Sequence, residues 1–316
     1  MRKTKIGNKS KEDWILDILK VIVLSIVTII TVYPFWNIFI ISINDATDAI
    51  RGGLYFLPRK LSFSSYLEIL TKKTFLSSIK VSVARTVIGT PIAVLVTSML
   101  AYALSRRDLV GRKFWNLLFI FTMYFGGGLV PYYMVLKGIH MLNTFWVFIF
   151  PLMMSVYNMI LVRSYVESMP ESLFEAAKID GATDLTVFFR LVLPLSKPIL
   201  MTIGLFVAVN QWNSWFDAYL YTSAQSLKPM QSVLVEILNQ YQTGGSVSQQ
   251  MSNAKSGMTV TPDSIRMAAT MVATIPIIMV YPEILCQGNH AGSGQGLIQH
   301  SCRRRSLSLM GVNYGL

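Results

Sequence analysis

The polar stretch EAAKIDGATDLTVFFRLVLPLSKP, residues 175–198, separates two long apolar runs and is the key to how this chain is organised. It contains acids, bases, one glycine and two prolines. Elsewhere the chain avoids charge, since 14% of its residues are charged and 53% are hydrophobic. Soluble domains are about one quarter charged. The composition therefore indicates a membrane protein. A polar segment of this length in such a chain is expected to have a specific function.

The residues leading into this stretch predict a helix. Ser168 is a candidate N-cap, Pro170 suits a first helical turn, and Glu171 stands three residues after Ser168, which is the spacing of a capping box. We therefore expect a helix over about 169–180. Gly181 follows, and glycine commonly ends a helix in the left-handed conformation.

A second helix is predicted directly after the glycine. Thr183 is a good N-cap, and the acid at Asp184 favours a helix N-terminus. This helix should stop near Pro194, because proline disrupts a helix interior. The sequence thus predicts two helices joined by a tight turn at Gly181.

The composition of this helical pair favours a protein partner over a lipid surface. Ala176, Ala177 and Gly181 are small, so another surface could approach the backbone closely. The alternative is an amphipathic connector lying on lipid, but such helices usually favour Lys and Arg. Acids dominate here, which makes a protein partner the better interpretation. The acids are Glu167, Glu171, Glu175, Asp180 and Asp184.

The rest of the chain predicts an all-α polytopic membrane protein with six spans. A helix needs about 20 apolar residues to cross the hydrocarbon core. Charge-free runs of roughly this length recur, although the last is short. They are Val21–Asn44, Thr86–Ser105, Phe114–Leu136, Gly138–Val162, Ile199–Phe216 and Met267–Pro282.

Basic residues predict the orientation of these spans. The N-terminal segment MRKTKIGNKSK and the loop SRRDLVGRK at 105–113 are both strongly basic, as cytoplasmic loops usually are. Both termini and the connection containing residues 175–198 are therefore expected in the cytoplasm. The formal charge of +12 fits this explanation better than nucleic-acid binding, given the apolar content.

The stretch resembles the EAA signature of permease subunits of bacterial ABC importers. The matching elements are E175-A-A-x-x-x-G181, its extension D180-G-A, and Pro194. Two flanking segments, GGLVPYYMVLKGIHMLNTFW at 127–146 and QWNSWFDAYLY at 211–221, resemble the carbohydrate-uptake branch. Within it the chain is similar to the maltose-permease second subunit and to Gram-positive oligosaccharide permeases. The resemblance covers roughly residues 15–282.

This resemblance implies a type I importer permease fold with a cytoplasmic coupling helix between spans four and five. The resemblance implies that the chain itself is not an enzyme and binds no cofactor. ATP and Mg would bind to a partner ATPase. The implied assembly has a second permease subunit (a heterodimer), two ATPase copies, an extracellular solute-binding protein and membrane lipid. Leu185, Phe188 and Phe189 would anchor the second helix. The implied coupling residues are Glu175, Ala176, Ala177, Asp180, Gly181, Phe188 and Pro194.

The expected domain organisation follows from the spans and the resemblance. The parts are a cytoplasmic segment 1–14, a first membrane helix 15–44, an extracytoplasmic loop 45–74, an ABC transporter type-1 transmembrane domain 75–282, and an atypical tail 283–316.

A cluster of amides and indoles after the fifth run is a candidate substrate passage. Amides hydrogen-bond sugar hydroxyls, and aromatic faces stack on sugar rings. The alternative is an aromatic belt at the membrane interface. Arg85, at the start of the second run, is expected to extend towards the interface. The passage candidates are Asn210, Gln211, Trp212, Asn213 and Trp215.

The sequence disfavours two other functional classes. An ion-coupled secondary transporter or channel would need charged residues in the membrane, and the six runs contain none. An intramembrane enzyme would need a nucleophile–base pair or a metal cluster. The runs contain no Cys, Asp or Glu, and their one histidine, His140, has no metal partner. No metal site is therefore expected.

The tail after Pro282 differs from the rest of the chain. Both cysteines, Cys286 and Cys302, lie in it, and apolar periodicity stops at Tyr281-Pro282. One interpretation is a cytoplasmic tail in which Arg303, Arg304 and Arg305 obey the positive-inside rule. The other is a reading-frame shift near the Pro282 codon, which predicts a short sixth helix and a tail without stable structure.

Overall fold

The computed structural model describes residues 11–49, 53, 57–244 and 262–290. Within these residues the regular elements are helical, apart from one isolated bridge between Asn44 and Leu61. The chain divides into two compact units, Met1–Thr71 with Leu238–Val272, and Lys72–Ile237 with Ala273–Leu316.

The first unit contains a long N-terminal helix, α1 (Lys11–Ile43), followed by the short helices α2 (Ala46–Ala49) and α3 (Ser64–Thr71). The most apolar part of α1 buries none of its residues within the structure, so lipid is free to cover it. Asn44 closes the loop between α2 and α3, because its side-chain oxygen accepts hydrogen bonds from the backbone of Arg59 and Lys60, both at 2.9 Å.

The second unit contains most of the remaining helices. These are α4 (Lys73–Ser105), α5 (Arg112–Tyr124), α6 (Leu129–Gly138), α7 (Val156–Glu167), α8 (Glu171–Ile179), α9 (Asp184–Val187), α10 (Leu193–Leu195), α11 (Lys197–Asn213) and α12 (Phe216–Tyr221). A π-helical segment, Phe188–Val192, joins α9 to α10. Two further helices have residues in both units, α13 (Met230–Gly244) and α14 (Pro262–His290).

The core of the second unit forms where α4 packs against α7 and α11. Tyr102 and Ala101 of α4, Met159 of α7 and Ile203 of α11 are buried together in it. Phe188 of the π-helical segment joins the same cluster. The polar stretch quoted above is therefore attached to the centre of this unit.

The described residues contain fewer unbroken membrane helices than the six spans predicted from the sequence. In the described part of the chain, two helices are long and apolar enough to cross a bilayer unbroken: α1 and α4. Three bent pairs meet the same test, with bends of 115° between α5 and α6, 46° between Phe145–Leu152 and α7, and 81° between Asp184–Leu195 and α11. The count therefore reaches five by length and composition, and the predicted six is not confirmed.

The last helix is longer than predicted. The apolar run indicated a short helix ending near Pro282, but α14 covers 29 residues and ends at His290. Residues 283–290, the start of the tail for which the frameshift interpretation predicted no stable structure, are part of this helix, so that expectation is wrong for these residues. Residues 291–316 of the tail lie outside the described part.

Candidate functional site

The EAA loop, defined here as residues 168–195, has the helix–turn–helix form that the sequence predicted. Gly181 has φ +73°, which confirms the left-handed turn after α8. The Thr183 hydroxyl accepts a hydrogen bond from the backbone N–H of Thr186 at 3.4 Å, so Thr183 is the N-cap of α9 as expected.

The predicted capping box of α8 is wrong. Ser168 lies at the C-terminal end of α7, and its hydroxyl donates to the backbone oxygen of Tyr165 at 2.7 Å. Pro170 occupies the N-cap of α8 and has no side-chain cap. The reason is that α7 continues to Glu167, so Ser168 closes one helix and cannot open the next.

The signature residues of the EAA loop form an exposed surface. Glu175, Ala176, Asp180 and Gly181 are all exposed, whereas Ala177 is half-buried against the core. A Cβ added at Gly181 would meet no atom within 4 Å. The loop therefore presents an acidic, small-residue face with room for another molecule.

The second half of the loop is attached to the core through Phe188 and two buried valines, Val187 and Val192. Phe188 is 1% exposed and its ring centroid lies 5.7 Å from that of Tyr102. Leu185 and Phe189, which were expected to help anchor the helix, are 62% and 49% exposed. Pro194 is exposed in α10, shortly before the 81° bend into α11.

A polar cleft of about 490 Å³ lies between the EAA loop and the loop that joins α4 to α5. Asp108 is among its lining residues, and a hydrogen bond from Arg106 lowers the pKa of this carboxyl group below its ordinary value. This hydrogen bond favours the ionised form of Asp108. The full lining is Ser105, Arg106, Arg107, Asp108, Arg112, Val166, Glu167, Met169, Glu171, Phe174, Glu175 and Lys178.

The structure separates the five passage candidates into two groups. Gln211 is 1% exposed, and its amide donates to the backbone oxygen of Phe148 at 3.2 Å. Trp212 is 9% exposed, and its indole N–H donates to the backbone oxygen of Ala273 at 3.0 Å. The polar groups of both side chains are therefore hydrogen-bonded within the protein.

The other three candidates face outward. Asn210 and Asn213 are exposed on one face of α11, and the Asn213 side-chain oxygen accepts from Gln231 at 3.3 Å. Trp215 is exposed as well, with its ring edge-on to Phe216 and Tyr219. These three side chains remain accessible to a ligand.

Arg85 is a buried charge, contrary to the position expected from the sequence. Its side chain is fully buried and forms an ion pair of 2.6 Å with Asp217. The expectation that it extends towards the interface is wrong, because α4 begins at Lys73, well before the charge-free run, and so includes Arg85 in its interior. An ionisable residue within a membrane helix is a signal to search for its counter-charge.

No group of three or more His, Cys, Asp or Glu residues suited to a metal ion occurs in the part of the chain that the structure describes.

Comparison with known proteins yields consistent matches. A family model described as "Binding-protein-dependent transport system inner membrane component" matches residues 60–284. The polygalacturonan/rhamnogalacturonan transport system permease protein YtcP of Bacillus subtilis (strain 168) is 36% identical over 271 residues, covering 85% of this chain and 94% of that protein. Protein LplC of the same organism is 35% identical over 285 residues, covering 89% of this chain and 92% of that protein.

A solved structure matches over almost the same length. It is that of a bacterial ABC transporter involved in the import of the acidic polysaccharide alginate. One of its chains superposes with a TM-score of 0.80 and 28% identity, covering 88% of this chain and 98% of that chain. The sequence comparison and the structural comparison therefore both match transport proteins.

Proposed function

The chain belongs to the family of binding-protein-dependent transport system inner membrane components, and from this premise we propose that it helps an ATP-driven importer to move a sugar or oligosaccharide across the cell membrane. It is a multi-pass membrane protein and a transport subunit, not an enzyme. Family membership decides against the ion-coupled secondary transporter or channel.

The substrate class is proposed from the relatives. YtcP is named for polygalacturonan and rhamnogalacturonan, and the superposed chain comes from an alginate importer. All of these are carbohydrates rich in hydroxyl groups, which amides and aromatic faces bind well. We therefore assign the passage to the exposed Asn210, Asn213 and Trp215, with Gln211 and Trp212 holding this segment in place.

The observation that best supports the coupling role is the exposed acidic face of the EAA loop. Glu175, Ala176, Asp180 and Gly181 leave room for a partner, whereas Phe188 is buried against α4. In the proposed mechanism an ATPase docks on this face, and its movement reaches α4 through the Phe188–Tyr102 contact. Burying an aromatic side chain stabilises such an attachment by about 1.5–3 kcal/mol.

The proposed assembly has a second permease subunit, two ATPase copies that bind ATP and Mg, and an extracellular solute-binding protein. Both termini and the EAA loop lie in the cytoplasm in this proposal. The basic loop joining α4 to α5 supports the orientation, because cytoplasmic loops are enriched in Lys and Arg.

The test is reconstitution of the chain with these partners in lipid vesicles. ATP hydrolysis and uptake are measured with neutral oligosaccharides and with oligogalacturonides, with and without the solute-binding protein. We expect at least one carbohydrate to stimulate both activities only when the binding protein is present. Uptake driven by an ion gradient without ATP would contradict the proposal.

A further inference from the structure

The acidic side chains of the EAA loop and of the residue before it fall into two classes. Glu167, Glu171 and Asp184 form ion pairs with arginines of the same chain. Glu175 and Asp180 are exposed and form no ion pair among the described residues. The first class is thus engaged within the subunit, and the second is available to a partner.

Arg112 joins three helix ends. Its Nε donates to the backbone oxygen of Leu104 at 3.1 Å, near the end of α4, and its guanidinium pairs with Glu167 at the end of α7. Arg163 donates to the same carboxylate at 2.9 Å. Since Arg112 is the first residue of α5, this cluster links α4, α5 and α7 just before the EAA loop begins.

Arg106 makes the corresponding contact at the start of α9. Its guanidinium lies 3.3 Å from the carboxylate of Asp184, the first residue of that helix. It also pairs with Asp108 through two hydrogen bonds, of 3.0 and 3.2 Å, and lies over the Tyr102 ring at 5.8 Å. The side chain is 15% exposed, so several contacts hold it in one position.

The remaining pairs are weaker. Arg107 is 80% exposed where it pairs with Glu171, and Lys178 is 56% exposed where it pairs with Asp108. Exposed ion pairs are screened by solvent and typically add little. Arg106 and Arg112 are 15% and 29% exposed, and each is also held by hydrogen bonds to other groups. Their acidic partners differ, since Asp184 is 74% exposed and Glu167 is 36% exposed, so solvent screens the Arg106–Asp184 pair more strongly.

We propose that Arg106 and Arg112 are positioning residues that hold the EAA loop against the cytoplasmic ends of α4 and α7. Arg112 secures the entry to α8, and Arg106 secures the start of α9, one on each side of the exposed acidic face. With both ends held, a push on that face moves α4 and α7 instead of bending the loop. This last step rests on the proposed function.

The test uses the assembled transporter in lipid nanodiscs without ATP. Amide hydrogen exchange is measured in residues 171–183 of Arg106→Gln, Arg112→Gln and the double variant. We expect the double variant to exchange roughly tenfold faster there, because exchange follows local opening. Arg107→Gln is the matched control, since it removes a neighbouring arginine whose pair is exposed, and it should exchange as the unmodified protein does.

A charge swap separates positioning from general damage. Arg106→Asp with Asp184→Arg should recover part of the slow exchange, because it regains the ion pair but not the Arg106 contacts with Asp108 and Tyr102. Either change alone should accelerate exchange. Unchanged exchange in the double glutamine variant, or no recovery in the swap, would overturn the proposal. Faster exchange with an unaltered ratio of sugar transported to ATP hydrolysed supports the positioning role but contradicts the coupling role of the loop.

Discussion

The guanidinium of Arg85 lies 2.6 Å from the carboxylate of Asp217, a residue 132 positions further along the chain. The Arg85 Nε also donates to the side-chain oxygen of Gln211 at 3.1 Å, and the charge lies 4.7 Å from the Phe148 ring centroid. Because Arg85 is fully buried, these contacts replace its hydration. The pair ties α4 to the first turn of α12.

We expect Arg85→Met to destabilise the protein by about 3–5 kcal/mol, because it leaves the Asp217 carboxylate without its counter-charge in a mostly buried site. Thermal unfolding in detergent measures this loss. The double variant Arg85→Met/Asp217→Leu should lose less, since neither charge remains. Arg107→Met is the control, because that arginine and its partner Glu171 are 80% and 59% exposed. A single variant as stable as the unmodified protein would show that the pair is unimportant.

Gly181→Val should reduce sugar-stimulated ATP hydrolysis while leaving membrane abundance unchanged. The left-handed conformation at φ +73° costs a non-glycine residue about 1–2 kcal/mol. Since a Cβ there meets nothing within 4 Å, the effect is one of backbone conformation and not of a steric clash. Gly181→Asn should retain most of the activity, because Asn tolerates this conformation better. Equal losses in the two variants would point to a contact with the partner instead.

Glu175→Lys should uncouple ATP hydrolysis from transport, because it reverses an exposed charge on the proposed docking face. Glu175→Gln should have a smaller effect in the same direction. Abundance should stay normal in both variants, since the side chain is exposed and has no ion pair among the described residues. Normal sugar-stimulated ATPase activity in Glu175→Lys would argue against docking at this position.

Trp212→Ala should lower membrane abundance and transport in parallel. The indole is buried and donates to the backbone of Ala273, and truncating a buried aromatic side chain costs about 3–5 kcal/mol. Asn213→Ala, one residue away but exposed, should lower transport while abundance stays normal. Abundance is measured by immunoblot of membranes and transport by uptake of labelled oligosaccharide. Normal transport in Asn213→Ala would remove it from the proposed passage.

We predict that the nucleotide sequence after the Pro282 codon, read in another frame, completes an apolar helix and then ends soon afterwards. The family match supports this, because it stops at residue 284, just past Pro282. Resequencing the gene and reading the other two frames provides the test. If neither frame continues the apolar pattern, the tail is genuine.

The residue pattern alone determined the membrane class, the turn at Gly181 and the cap at Thr183. Each depends on composition or on the conformation of a few neighbouring residues, which the sequence contains in full. The cap at Ser168 was misplaced because two helices compete for that residue. The observed end of α7 at Glu167 shows that Ser168 ends α7 and does not begin α8.

The tertiary structure decided which apolar and polar side chains meet. Gln211, Trp212 and Asn213 are consecutive, yet the first two are buried and the third is exposed. A sequence in which lipid-facing and protein-facing residues are equally apolar holds little information about which side of a helix is covered. The packing of α4 against α11 sets those faces, and it brings Arg85 to Asp217 from far along the chain.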